Sequence, residues 1–336
     1  MIRSLAHRLA GEAPVLPVEG RLGSFQGATR WLNSEPLTPE GLRGRVVLVD
    51  FWTYTCVNWL RTAPYVRAWA AKYRAAGLTV IGVHTPEFGF EHDLDNVAAA
   101  ARWFTVEYPI AVDNDYAVWH AFANQFWPAI YLADVEGRIR FHHFGEGEYA
   151  ATEMAVQQLL MEAGVEGIDQ DLVMVEPREL EVAADWGAVQ SPETYLGYGQ
   201  ATGFASAADA APGVPHLYGS APVRLNQWGL SGNWTFARHA AVANDAGGRI
   251  AFRFHARDVN LVMGPASRGA AVRFRVSLDG QPPGGARGTD VDPADGGTVR
   301  DQRTYQLIRQ DGPIADRLFE IEFLDAGVEA YCFTFG

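Results

Sequence analysis

Cysteine is scarce in this chain: 336 residues hold two, Cys56 and Cys332, far apart in the sequence. Two thiols cannot build a disulfide scaffold or a cysteine-based zinc site. Positive charge is short as well, with 27 Lys and Arg against 40 Asp and Glu, a formal net charge of −13. That balance argues against nucleic acid and against anionic membrane surfaces as partners. No stretch approaches the roughly 20 apolar residues of a membrane span. Residues 1–20 carry Arg3 and Arg8 but no apolar core of signal-peptide length, so a cytoplasmic protein is expected. No internal repeat stands out, and no His, Cys or acidic cluster has metal-ligand spacing. No metal and no cofactor are expected. What remains is 48% hydrophobic and 20% charged, a globular chain of a length that suits two domains.

The chain is organised around Val46-Val47-Leu48-Val49-Asp50-Phe51-Trp52. A β-branched apolar run of this kind is the pattern of a buried strand. From Cys56 through Tyr73 the spacing turns helical, with Leu60, Val66, Ala70 and Tyr73 as inward residues. Cys56 is thereby left where a strand hands over to a helix N-terminus. Unsatisfied N–H groups and the helix dipole there favour thiolate over thiol. An exposed nucleophilic sulfur is the reading, against the alternative of a buried inert one.

Gly77 fits a helix C-cap, and 78–83 a second buried strand joined by a right-handed parallel crossover. A helix over 93–104, a short strand over 108–112 and a short helix over 116–123 follow. Strands 130–133 and 138–144, joined by Glu136-Gly137, form a hairpin, and a helix over 148–163 closes the first domain. Upstream, Trp31-Leu32-Asn33 fits a short edge strand. Residues 165–190 are acidic and loosely periodic, and are read as a linker. From 191 onward the texture changes to short alternating strands, among them 249–256, 260–263, 272–278, 317–324 and 328–335. That is the pattern of an antiparallel sandwich. Residues 281–297, dense in Pro, Gly and Asp, are expected to be a long mobile loop.

The run Asp50, Trp52, Cys56, Pro64 resembles the active site of the thioredoxin superfamily, and more closely its TlpA/DipZ branch. Trp127-Pro128-Ala129 before a strand resembles the cis-proline that faces the cysteine in that family. The resemblance covers roughly the first half of the chain. Where the family carries the second cysteine of C-x-x-C, this sequence has Trp59. The segment Ser191-Pro192-Glu193-Thr194-Tyr195-Leu196-Gly197 resembles the start of the carbohydrate-module-like sandwich that follows the thioredoxin domain in DipZ-type proteins. The resemblance implies an α/β thioredoxin-like domain (1–164), a linker (165–190) and an all-β galactose-binding-like sandwich (191–336). Relatives in this branch often work outside the cytoplasm.

In chemical terms, Cys56 is the candidate nucleophile, with Asp50 and Pro128 completing the catalytic set. The family's buried Asp takes the second cysteine's proton; with no second cysteine, Asp50 is equally a structural residue. A cis-Pro128 would expose backbone to an extended substrate. Trp52, Trp59 and Trp127, with Thr55 and Asn58, are candidates for contacting substrate, although ordinary packing suits Trp52 as well. Trp59 cannot attack a mixed disulfide, so an external thiol must resolve Cys56. The expected partner is therefore a thiol or disulfide substrate, protein or low-molecular-weight. Two alternatives stand beside it. One is a non-catalytic binding protein whose sandwich holds a glycan or a protein, with Trp228 and Trp234 as possible solvent-facing aromatics. The other is a one-cysteine peroxidase, in which Thr53 fits the threonine three residues before the cysteine but Val49 stands where a proline belongs, seven before. Cys332 alternates with Tyr331 and Phe333 and is read as buried. His84 follows a parallel strand and is expected near the site, whereas His142-His143 suits a structural role.

Overall fold

The computed structural model describes residues 15–336, so the arginines of the first 14 residues lie outside it. The chain forms two compact units, one through Glu181 and one from Val182. Among the described residues no helix is long and apolar enough to cross a membrane.

In the first unit the elements run β1 (Gly20–Arg21), β2 (Arg30–Leu32), β3 (Val46–Trp52), α1 (Val57–Tyr73), β4 (Leu78–His84), α2 (Leu94–Trp103) and β5 (Ile110–Val112), then α3 (Ala117–Ala121), β6 (Ala129–Ala133), β7 (Arg138–Phe144) and α4 (Tyr149–Glu162). The seven strands form one sheet in the order β1-β7-β6-β3-β4-β5-β2. β3 lies at its centre, parallel to β4 and antiparallel to β6, and all seven of its residues are buried. A strand covered on both faces needs apolar side chains on both, which explains its near-continuous apolar run. Period-two alternation then sorts those side chains. Val46, Leu48 and Trp52 point into a core shared with α1 and α4. Val47, Val49 and Phe51 point into a second core shared with α3. Asp50 stands on the first face, among Trp52, Trp59 and Trp69.

Gly82 of β4 pairs directly with Asp50. A β-carbon at Gly82 would stand 2.8 Å from the Trp52 Nε1 and 3.1 Å from Tyr108 Cε2. Only glycine lets the Trp52 indole lie across that strand.

Residues 165–181, read as linker from their acidic composition, instead pack on the first unit. Val165, Ile168, Val173 and Leu180 are partly buried against its core. The tether is Glu153, 2% exposed in α4. Its carboxylate accepts from Trp69 Nε1 at 3.1 Å, from Tyr73 OH at 2.7 Å and from the Val173 amide at 2.9 Å. The acidic composition hid this, because the burying residues are few and irregularly spaced.

The second unit holds eleven strands: β8 (Thr194–Tyr195), β9 (Pro215–Tyr218), β10 (Gln227–Phe236), β11 (Ala241–Ala243), β12 (Gly248–Phe254), β13 (Asp258–Pro265), β14 (Val272–Leu278), β15 (Gly296–Val299), β16 (Arg303–Arg309), β17 (Arg317–Phe323) and β18 (Val328–Phe335). The main path is β15-β14-β17-β12-β10-β11-β18-β13-β16, all antiparallel. Rings from strands that are not neighbours meet in its interior, as Phe252 of β12 does Phe333 of β18 at 5.1 Å. Cys332 is 1% exposed. Two expectations are corrected here. Trp228 and Trp234 are both fully buried, their indole N–H groups donating to Thr202 and Ser231 carbonyls at 2.9 Å. They lie on the inward-facing register of β10, which a sequence does not label. Residues 281–297 are also not one long structureless loop: Val291 is buried, β15 starts at Gly296, and the Gly288 amide donates to Leu307 O at 3.0 Å.

Replacing Glu153 by Ala would strand three buried donors, each such loss costing roughly 1–3 kcal/mol. Urea unfolding should show a destabilisation of about 3 kcal/mol or more, with faster proteolysis confined to 165–181. Unchanged cleavage there would show that Glu153 does not tether the segment.

Candidate functional site

Cys56 occupies the N-cap of α1, in extended conformation at φ −69° and ψ 110°. Its amide donates to Thr53 O at 3.2 Å and its carbonyl accepts from the Leu60 amide at 3.0 Å. The first turn of α1 has no acidic side chain, so nothing there offsets the positive end of the helix. Cys56 is half-buried and in no disulfide. Across from it the Trp127-Pro128 peptide is cis. The Cys56 thiol approaches the Trp127 carbonyl at 3.8 Å. The structure thus brings Cys56, Trp127 and Pro128 together although about 70 residues separate them in sequence. Trp127 is half-buried, its ring 4.3 Å from that of Trp119.

Beneath the cysteine lies Asp50, wholly buried. Trp59 Nε1 donates to Asp50 Oδ2 at 3.0 Å, and Tyr108 OH lies 3.5 Å from the same oxygen. Oδ1 has no hydrogen-bond partner. Burial dominates the titration and pushes the Asp50 carboxyl up to about 7, against the opposing pull of those two donors. The Trp59 ring stacks on Trp52 at 4.3 Å, and Trp52 meets His84 edge-on at 4.9 Å. His84 is wholly buried, and loss of hydration pushes its imidazole down to about 3. It is neutral at physiological pH and sits under the site rather than facing solvent.

Several expected contacts are relocated. Trp52 and Trp59 are both fully buried and offer no face to a substrate. Their side chains follow the inward registers of β3 and α1. Thr55 is 1% exposed, and its hydroxyl donates to Glu91 Oε1 at 2.7 Å. Asn58 stays half-exposed, with its carbonyl accepting from the Thr62 hydroxyl at 2.9 Å. His142 pairs with Glu19 at 2.7 Å, and His143 Nε2 lies 3.3 Å from Glu146 O.

Sequence reasoning passed over Glu91 and Tyr108. Glu91 is wholly buried and accepts from the Thr55 hydroxyl and from the Glu87 and Phe88 amides at 2.7 and 2.9 Å. Burial pushes its carboxyl up. One carboxylate therefore ties the residue before Cys56 to the turn after β4. Nothing local in Pro86-Glu87-Phe88-Gly89-Phe90-Glu91 marks Glu91 as interior.

Because the folded Asp50 holds its proton to about pH 7 and an unfolded Asp to about 3.8, folding is penalised as that proton is lost. This contribution to stability falls as pH rises between those values and is flat above. Asp50→Asn keeps an acceptor oxygen for Trp59 and removes the titration. Its stability relative to the native protein should rise across the window, by no more than about 1.4 kcal/mol per pH unit. Urea unfolding at a series of pH values measures this. A flat difference would mean that Asp50 does not titrate there.

Three comparisons bear on the chain. A family profile described as "Thioredoxin like C-terminal domain" matches residues 191–336. Protein DipZ of Mycobacterium bovis is 37% identical over 268 residues, which is 78% of this chain and 37% of DipZ. The chain therefore spans little more than a third of that relative's length. Thiol-disulfide oxidoreductase YkuV of Bacillus subtilis is 29% identical over 136 residues, 40% of this chain and 91% of YkuV. A solved thioredoxin-like protein in its oxidised form is 30% identical and aligns with 43% of this chain and 97% of its own at a TM-score of 0.40. With Cys56 at a helix start opposite a cis-proline, and with these relatives, the chain belongs to the thioredoxin-like superfamily and has DipZ-type redoxins among its homologues.

Proposed function

We propose that this chain is a thiol-based redox protein in which one nucleophile, Cys56, exchanges with thiol or disulfide substrates and an external thiol resolves it. The observation that carries the reading is the 3.8 Å approach of the Cys56 thiol to the carbonyl of the cis Trp127-Pro128 peptide. It joins a sulfur at a helix N-terminus to the backbone of the half-buried Trp127, which an extended substrate would pair with. The relative named as a thiol-disulfide oxidoreductase matches over 40% of this chain.

The exchange runs in two displacements. The Cys56 thiolate attacks one sulfur of a substrate disulfide, forming a mixed disulfide and releasing the other half as a thiolate. An external thiolate then attacks the substrate sulfur of that mixed disulfide and returns Cys56 as thiolate. In a dithiol site the second displacement is internal. Here position 59 holds an indole whose N–H is bonded to Asp50 at 3.0 Å. Asp50 accordingly acts as a structural acceptor under the site. Trp127 and Asn58 are the residues left to meet substrate, since Trp52, Trp59, Thr55 and Pro128 are interior.

The β-rich unit is read as a galactose-binding-like sandwich that holds a protein partner. Its glycan version loses support because Trp228 and Trp234 are buried. The binding-platform reading takes its support from Trp59, which leaves Cys56 without a second thiol in its helical turn. The peroxidase alternative has none: Val49 is an interior strand residue and Thr53 is wholly buried.

At pH 7 Cys56 should alkylate with iodoacetamide several-fold faster than free cysteine. A rate at or below the free one favours the binding platform. Oxidised glutathione should add one glutathione, at Cys56, and leave the buried Cys332 unmodified. Loss of two hydrogens from the monomer would refute the monothiol mechanism. Trp59→Cys should form a disulfide with Cys56 under mild oxidation and gain insulin reduction with a thiol donor. The emptied indole site should lower stability by about 3–5 kcal/mol. If no disulfide forms in a folded variant, position 59 does not face Cys56.

A further inference from the structure

The three residues that deliver Cys56 to its helix, Thr53-Tyr54-Thr55, lie between β3 and α1, outside any strand ladder, and all three are buried. A buried amide outside a ladder needs an acceptor from elsewhere. For Thr55 that acceptor is a side chain. Its amide donates to Glu91 Oε1 at 3.3 Å and its hydroxyl to the same oxygen at 2.7 Å. Glu91 Oε2 accepts from the Glu87 and Phe88 amides at 2.7 and 2.9 Å. Amides can only donate, so acceptors are needed on both sides of the group. A carboxylate supplies both, and a carboxamide supplies one.

The segment that carries Glu91 is itself fixed. Glu91 lies in the short 3₁₀ turn Gly89–His92. Asn96 of α2 donates through Nδ2 to the Phe90 carbonyl at 3.0 Å. From the turn between β5 and α3, Asn114 Nδ2 donates to the His92 carbonyl at 2.9 Å and Tyr116 OH to the Pro86 carbonyl. The Thr85 amide donates to Trp52 O at 3.0 Å, which sets this segment beside the end of β3.

We propose that Glu91 is a positioning residue for Cys56: by holding Thr55 it keeps the sulfur at the N-terminus of α1, opposite the Trp127 carbonyl. The proposal rests on the reading of Cys56 as the nucleophile. Cys56 has the extended conformation of an N-cap, and its amide is tied back to Thr53 O at 3.2 Å. Thr55 is the residue between those two fixed points. Without its anchor, residues 53–55 gain freedom, and the thiolate loses the fixed aim of the first-turn N–H groups.

Glu91 acts on the thiol in two ways of opposite sign. Holding Thr55 favours the thiolate, whereas a nearby negative charge disfavours it. Holding prevails because both carboxylate oxygens are engaged by donors, whose dipoles damp the field of the charge. Asp50, Tyr54, His84, Glu87, Asp113 and Tyr116, the other titratable groups on the elements around this turn, are common to native protein and variants. A difference in titration between them therefore reports the Glu91–Thr55 contact.

The test follows alkylation of Cys56 by iodoacetamide against pH in the full chain, read at the Cys56 peptide by mass spectrometry. Glu91→Gln should raise the midpoint by about one pH unit. Loss of charge alone would lower it. Thr55→Val removes the hydroxyl and keeps the charge, and should raise the midpoint by less. The double variant should go no further than Glu91→Gln, because both changes break one contact. An unchanged or lowered midpoint in Glu91→Gln would overturn the proposal, even where urea unfolding shows that variant to be less stable. So would a double variant in which the two shifts add in full. If Glu91→Gln does not fold, Thr55→Val decides in the same way. The native midpoint, set against that of free cysteine, judges the nucleophile reading, and the difference between variant and native judges Glu91, so either can fail alone.

Discussion

The hydrogen bond from Trp59 Nε1 to Asp50 Oδ2 is the constraint on which the rest of the first unit depends. The alternation of β3 puts a carboxylate into a core face otherwise lined by Val46, Leu48 and Trp52, where an unpaired ionised acid is untenable. Two responses are visible. The acid is moved toward its neutral form, with its titration near pH 7, and donors are brought to it from α1 and from Tyr108. Because Trp59 lies in the first turn of α1, satisfying Asp50 also fixes where that helix begins. It therefore fixes where Cys56 stands.

Around that contact the aromatic packing is directional. Trp59 lies on Trp52, Trp52 abuts His84, and Gly82 leaves the space that the Trp52 ring needs. This is a rigid floor under the thiol rather than a surface for substrate. The half-buried Cys56 and Trp127 stand at its rim, with the buried Pro128 beside them. No second sulfur stands in the first helical turn, which is the ground for the proposed exchange with an outside thiol.

Glu91 and Glu153 show a second use of buried carboxylates. Each gathers donors from segments distant in sequence: Glu91 joins Thr55 to the 87–88 amides, and Glu153 joins α1 to residue 173. Acidic side chains at such positions read as surface in a one-dimensional pattern. Their partners are backbone amides and single hydroxyls, which carry no sequence signature. That is why the segment 165–181 read as linker and why Glu91 was passed over.

Local pattern by itself determined the elements of the first half, because strand alternation and helical spacing in 46–73, 78–84 and 130–160 are short-range consequences of burial. It also determined that Cys56 begins a helix and that no second cysteine lies three residues on. The strand-rich texture after residue 191 was legible for the same reason. Tertiary structure alone decided what each aromatic does. Trp127 is half-exposed beside the sulfur, while Trp59, Trp52, Trp228 and Trp234 are interior. Composition cannot distinguish these, since an indole is large, apolar and able to donate one hydrogen bond in either setting. Whether it faces solvent depends on which neighbouring strand or helix supplies an acceptor such as Asp50, and that is set only when the chain has closed on itself.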